Sequence, residues 1–434
     1  MKPKGLLIAV AVLAVLGGLT WWSNKKQASA NKSTDTATKI LSIPSDQVQE
    51  IRLKKPAETI DVKQQNGKWQ LTQPESLPAD SDAVTTMVSS LSSLNADTVV
   101  DAKAADLAPY GLQHPTVDVQ IIKKDGKTDN LLVGDETPTG SGSYAKLAND
   151  PRVFTIASYV KGNFDKTPND LRDKRLLTFD SDKLTRVELM SNGQDMEFGK
   201  NNQNEWTILK PKPYRADGSQ VDTLVTNLKD AKMDLSEDEK KAAAAFASGT
   251  KVATASVSDN QGNQTLEVRK DKDSYYGKST AVAGIYKLAG ETGKNLDKKV
   301  DDFRNKKLFD FGFSDPSKIE LKNATYTKSG DKWMSGSKTM DNSTVQNLID
   351  KLRDLTATKF EETDGGEPVF EATVTSNMGK RVEKITITKL GDKYFAKRGD
   401  DPSIYGLDGK AVEDLQKAAA DVKEAAPPAP AKKK

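Results

Sequence analysis

The chain has 434 residues, of which 65 are Lys or Arg and 62 Asp or Glu, for a net charge of +3. This length implies two to four domains, and a mean hydropathy of −0.63 is polar but compatible with several modest cores. With no cysteine, disulfides, thiolate metal sites, cysteine nucleophiles and a lipidated N-terminal cysteine are excluded, and with a single histidine, His114, so are the usual zinc sets.

Gly5 to Trp22 form an uncharged, nearly all-apolar run, preceded by Lys2 and Lys4 and followed by Lys25 and Lys26. As a helix it spans roughly 27 Å, close to the hydrocarbon core of a bilayer, and Trp21 and Trp22 suit the interface. Residues 1–26 are expected to be a transmembrane signal anchor, with the short N-terminus inside and the polar body outside. The alternative is a cleaved signal peptide, since Ala28-Ser29-Ala30 has the small-x-small form of a cleavage site. Residues 27–40, rich in Ala, Ser, Thr, Asn and Lys, read as a flexible stalk. The four anchor lysines and a tail of net +2 leave a body of −3, which argues against nucleic acid as a partner.

One pattern then occurs three times. Asp80 precedes Val84, Met87, Val88, Leu91 and Leu94; Asp217 precedes Val221, Leu224, Val225, Leu228 and Ala231; Asp341 precedes Val345, Leu348, Ile349, Leu352 and Leu355. The spacing fits one face of a 3.6-residue period, so each stripe predicts an amphipathic helix. The Asp lies in the cap zone, and Ser81, Ser219 and Ser343 are further cap candidates. Each unit opens with an alternating pair, Ile51/Leu53, Val187/Leu189 or Ile319/Leu321, that reads as a strand. Each then carries a Trp (Trp69, Trp206, Trp333) expected in a hairpin beneath the helix.

A second strand-rich half follows: Val117 to Ile121 and Leu131 to Val133, Val252 to Val257 and Thr265 to Val268, Phe370 to Val374 and Val382 to Ile387. Next, Lys146 precedes Val153-Phe154 by the same spacing that separates Lys278 from Ile285-Tyr286 and Lys397 from Ile404-Tyr405, which predicts a closing hairpin. Leu171-Arg172-Asp173-Lys174-Arg175-Leu176-Leu177 and Phe303-Arg304-Asn305-Lys306-Lys307-Leu308-Phe309 read as one shared linker, whereas the third unit ends in a helix near Val412 to Val422. Units this long exceed solenoid repeats. The expected fold is α+β: an N-terminal transmembrane helix followed by three tandem domains, each an antiparallel sheet with an amphipathic helix, over residues 41–178, 179–312 and 313–423, with a disordered Pro/Ala/Lys tail at 424–434.

The first unit contains Tyr110-Gly111-Leu112, Pro115, then Leu131-Leu132-Val133-Gly134-Asp135, the Tyr144-to-Phe154 hairpin and Leu171-Arg172-Asp173-Lys174. This succession behind an N-terminal anchor resembles the bacterial DUF4340 family, a domain of unknown function. The resemblance covers most of residues 40–310. The second and third units lack the Tyr-Gly-Leu…Pro element. Family members are often encoded beside ABC-transporter permeases and gliding-motility-type components, so the resemblance implies an accessory role and carries over no catalytic or ligand residue.

No constellation of residues carries chemistry. His114 sits in a polar turn without positioned partners. Glu361, Glu362, Asp364 and Glu367 lack the ligand spacing of an EF-hand, and Asp271-Lys272-Asp273 fails as a calcium loop at Tyr275. Gly290 to Lys294 departs from the phosphate loop, with Asn295 where a Ser or Thr is needed. Gly134 to Gly142 lacks the dinucleotide fingerprint, and Ser158-Tyr159-Val160-Lys161 lacks the motifs that accompany Ser-x-x-Lys. The aligned aromatics read as core. The reading assigns no catalytic, cofactor or metal residues and expects no cofactor. It expects a non-catalytic scaffold or accessory protein, single-pass in the cytoplasmic membrane with its body extracytoplasmic and a membrane or envelope protein as partner. The alternative is an ectodomain that binds envelope polysaccharide or a small solute in seams or unshared loops.

Overall fold

The structure, a computed structural model, describes residues 38–311 and 316–426. The apolar run at 5–22, the 312/313 boundary and the tail beyond Ala426 lie outside the described residues. Among those described, no helix is long and apolar enough to cross a membrane. The fold is α+β, with three nine-stranded antiparallel sheets and helices packed on them. The chain divides into two compact units after Lys174; the first holds one large sheet and the second holds two.

The three sheets share one strand order. Counted along the chain within each sheet, it is fourth, third, second, first, sixth, seventh, eighth, ninth, fifth. Two four-stranded meanders thus meet at their first strands, and the fifth strand closes the far edge. The amphipathic helix lies between the fourth and fifth strands in sequence, because the chain must cross the sheet there. It runs over Ser81–Ser92, Gly218–Lys229 and Asn342–Asp354 in the three sheets. The first four apolar residues of each predicted stripe are buried. Each is worth about 1.5–3 kcal/mol of burial. The fifth, Leu94, Ala231 or Leu355, is buried just beyond the helix end rather than within it. Trp206 and Trp333 are buried and Trp69 is half-buried. The Trp206 indole N–H donates to Asp222 on the helix above, at 2.7 Å.

The three aspartates are the N-caps: one carboxylate oxygen of each accepts from two backbone N–H groups of the first turn. The serines do not cap. The hydroxyls of Ser219 and Ser343 donate to the capping carboxylate instead. An Asp217→Ala substitution is expected to cost about 1 kcal/mol, read as a shift in the urea midpoint at unchanged slope.

Each cap residue is also held through its own backbone N–H. Asp80 donates to the Leu171 carbonyl, Asp217 to Phe303 and Asp341 to Lys423. Around these bonds lie the bridges Ala79–Arg172, Ala216–Arg304 and Met340–Glu424. The first halves of both linkers are therefore straps that close the fourth-strand edge of the sheet before them. Lys423 to Ala425 form the same strap on the third sheet, so Glu424 and Ala425, expected in the disordered tail, are paired.

The second half of each linker pairs just after the main helix of the sheet it leads into, Arg175 with Lys232 and Lys307 with Thr356. The first sheet has this element too: Thr38–Leu41 pairs with Leu94–Ala96. Residues 38–40 were expected in the stalk; they are instead the counterpart of Lys174-Arg175-Leu176. The predicted closing hairpins form as Ala145–Phe154, Lys278–Ile285 and Lys397–Ile404 pairs.

Candidate functional site at the seam of the second and third sheets

Alternation along the seventh strand of the third sheet, Arg381–Leu390, places Glu383 in phase with Ile385 and Ile387. The glutamate is therefore buried, at 2% exposure, while Val382 is 60% exposed. On the next strand, Lys393–Arg398, Arg398 is in phase with Ala396, and its side chain is 1% exposed. Its guanidinium donates to Glu383 Oε1 at 3.1 Å and to both Asp400 oxygens at 2.8 Å. It also donates to the Leu308 carbonyl on the linker.

The second sheet contributes Arg215 from its short edge strand, Tyr214–Arg215. Its guanidinium pairs with Asp310 and donates to the Lys307 carbonyl at 2.8 Å and the Tyr405 hydroxyl at 3.2 Å. Its backbone N–H donates to Asp401 at 2.8 Å. Asp310 in turn donates its N–H to Glu383 at 3.0 Å and accepts from the Asn305 amide at 3.0 Å. Arg381 reaches across to Glu205. The Arg304 guanidinium lies 4.1 Å from the Tyr214 ring centre and 3.5 Å from that of Phe360, bringing one ring of each sheet onto the same cation.

Burial raises the pKa of Glu383, the nearby Asp310 carboxylate adds to the rise, and Arg398 opposes it. Burial works against the Arg398 charge, but Asp400, Glu383 and Asp310 outweigh it and hold its pKa above the ordinary arginine value. Burial also opposes the Asp400 charge, yet Arg398 keeps that carboxyl below the usual range. The Tyr405 phenol is raised, chiefly by burial.

Arg215, Asp310, Glu383, Arg398 and Asp400 line a cleft of about 660 Å³ with no histidine or serine in its walls. A carboxyl raised by burial is one ingredient of acid catalysis. Here its oxygens are occupied by the Asp310 N–H and by Arg398, and the other charges pair with one another. The arrangement binds two sheets together.

The residues weighed from the sequence are scattered. His114 is exposed in a bend. The Ser158 hydroxyl donates to the Gly140 carbonyl at 3.2 Å, whereas Lys161 pairs with Glu136 at 3.2 Å. Asp364 pairs with Lys397, and Glu361 with Lys359 at 2.9 Å. Lys272 occupies a tight turn with φ of 53°, and Thr292–Asn295 is a single helical turn. Among the described residues no three acidic or histidine side chains gather as a metal set.

The Tyr110 element does assemble with Gly134-Asp135. A Cβ on Gly134 would lie 2.1 Å from the Tyr110 carbonyl oxygen, and one on Gly111, where φ is +66°, would lie 2.4 Å from the Asp135 carboxyl carbon. Tyr110 also packs edge-on against Tyr144 at 5.2 Å. This element, the unforeseen helix Glu239–Ser248 and the acidic loop at 361–367 all occur where the fifth strand of a sheet leads to the sixth. The unshared chemistry of the three sheets is thus concentrated at one topological position.

A family model described as "Domain of unknown function (DUF4340)" matches residues 69–209 and again residues 206–373. The two matches begin at the equivalent residues Trp69 and Trp206. Neither a curated protein nor a solved structure matches the chain.

Proposed function

Because the chain belongs to the DUF4340 family, a family without an assigned function, we propose that it is a non-catalytic scaffold anchored in the cytoplasmic membrane, with its body extracytoplasmic, serving as an accessory component of an ABC-type transporter or cell-envelope complex. The observation that carries this reading is the seam. Arg398 and Glu383 pair with each other, Arg215 pairs with Asp310, and both arginines also donate to linker carbonyls, as in a structural lock. The apolar run at 5–22 supplies the anchor. Crosslinking in intact cells followed by pull-down of the full chain is expected to recover a membrane or envelope protein. Recovery of none would overturn the proposal.

A second reading rests on a groove of about 480 Å³ beside the Ser81–Ser92 helix, lined by Thr85, Thr86, Ser89, Asn95 and Tyr159. Hydroxyls and an amide beside a Tyr that is 74% exposed suit a neutral glycan. Thermal stabilisation by an envelope polysaccharide would favour it.

A further inference from the structure

One end of the third sheet carries an open groove. Alternation puts Leu321 in phase with buried Ile319, Ala324 with buried Tyr326, and Phe370 with buried Ala372 and Val374. The core-forming face therefore runs on to the turn that joins Lys318–Leu321 to Ala324–Ser329. The helix Gly409–Ala420 stops over that end on Ala419 and Ala420, whose side chains are too short to cover it. A groove of about 400 Å³ is left, walled by Leu321, Ala324, Tyr326, Val369, Phe370 and Ala419. All of these but Tyr326 are only half-buried against the core. Tyr326 is 5% exposed, yet among the described residues its hydroxyl has no hydrogen-bond partner. A buried phenol ordinarily has one. The strap of the third sheet heads for the same end. Glu424 pairs antiparallel with Met340, and the Ala425 N–H donates to the Thr339 carbonyl. Beyond Ala425 the chain therefore runs towards Lys338 and the turn at Gly336. Thr339 stands opposite Met334, and Met334 opposite Thr327. On the strand Ala324–Ser329 that direction leads from Thr327 to Tyr326 and Ala324, which is into the groove.

We propose that residues 427–434 of this chain dock in the groove as a polyproline II segment, with the Tyr326 hydroxyl donating to one of their carbonyls. The sequence there is Pro427-Pro428-Ala429-Pro430-Ala431 followed by three lysines. Its chemistry matches the walls. A polyproline II backbone makes no internal hydrogen bonds, so its carbonyls are open to an outside donor. Proline carries no N–H, so no donor is stranded against an apolar wall. Proline-rich segments dock in aromatic-lined grooves on this principle, and Tyr326 and Phe370 supply the rings. The reach also matches. The strap lies outside Lys338–Thr339, five strand positions from Glu367–Ser376, a distance of about 24 Å. Eight residues in polyproline II form span about 25 Å. The lysines then arrive at the strand that carries Glu367 and Glu371, with Lys322 as the opposing charge at the rim. The first two straps run on into the next sheet, at Arg175 and Lys307. The third runs into this segment, which fastens it to the sheet it closes.

The test places a photo-crosslinking amino acid at Ala431 of the full-length chain in native membranes. The expected result is a crosslink within the same chain to residues 321–326 or 368–371. Ala420→Arg, which sets a long cation on the groove wall at an already exposed position, should lower the yield at least tenfold. Tyr326→Phe removes only the hydroxyl and should lower it about fivefold, the worth of one hydrogen bond. Pro428→Gly with Pro430→Gly keeps the reach but not the preformed shape, and should lower it at least threefold. Hydrogen exchange across Arg381–Leu390 should stay unchanged in every variant and show that the sheet is intact. A crosslink to a second copy or to another protein, or one spread evenly over the third sheet, overturns the proposal. So does an unchanged yield in Ala420→Arg or in Tyr326→Phe.

Discussion

Arg398→Ala is expected to destabilise the second unit by about 3–5 kcal/mol, because removing one partner strands a buried charge. The side chains of Arg398 and Glu383 are 1% and 2% exposed, so little water reaches Glu383 to offset the lost guanidinium. The Leu308 carbonyl and Asp400 lose their donor in the same step. Urea unfolding should show the loss, and hydrogen exchange should place it first in the strands that carry Glu383 and residue 398.

The pH dependence separates this lock from simple packing. Glu383 already has a raised pKa, so in the folded state it holds its proton to higher pH than in the unfolded chain. Its contribution is fully present below the unfolded value of about 4.5 and is lost as pH rises through the folded value. Without Arg398 the folded value climbs further, so the deficit of the variant should grow from pH 4.5 towards neutrality. Asp400 acts in the opposite sense. Its lowered pKa gives stability above about 3.8 that disappears on acidification, and Arg398→Ala should abolish that limb. A variant whose deficit is flat with pH would refute the role given to the pair. The double substitution Glu383→Leu with Arg398→Met should recover part of the loss. It removes both charges together but leaves the Asp310 N–H and the Leu308 carbonyl without those partners.

Phe309→Ala is expected to cost a similar 3–5 kcal/mol. Phe309 belongs to the linker by sequence yet is 1% exposed within the core of the third sheet, with its ring 5.7 Å from that of Phe311. Its counterparts are Leu177 and Leu41, the residues with which the chain enters the other two cores. Phe309→Leu, which copies Leu177, should cost less than about 1.5 kcal/mol. If Phe309→Ala and Phe309→Leu are equally mild, the linker is not part of the core. Denaturant midpoints at a common slope decide the matter.

How much of this was legible in the sequence depended on whether the signal was local. The Asp and its stripe were readable because a cap and an apolar face are set by neighbours within one or two turns. The Lys-to-aromatic hairpins were readable because a short turn fixes their register. The Thr38–Leu41 strand was missed because it is short, lies beside a polar stretch and finds its partner more than fifty residues away. The seam was missed for a different reason. Arg215, Asp310, Glu383 and Arg398 come from separate elements and occur once, so no repetition flagged them. One trace was present: period-two alternation through Ile385 and Ile387 demands that Glu383 point inward and Val382 outward. For the Tyr110 element the motif was visible, but its packing against Gly134 was not, since close backbone approach leaves no mark beyond a glycine.

The straps also impose a schedule on folding. The N–H of each cap aspartate is satisfied by a carbonyl about 80 to 90 residues downstream. A helix can form as soon as its own residues are available, within microseconds, but the edge beside it stays unsealed until its strap arrives. Closing so long a loop is slow relative to local structure. A chain emerging in the N-to-C direction would therefore carry in turn one nearly complete sheet with an unlatched edge, sealed only when its strap arrives. Assembly becomes sequential, each sheet waiting on the strap that follows it, and the vulnerable interval for proteolysis or mispairing recurs once per sheet.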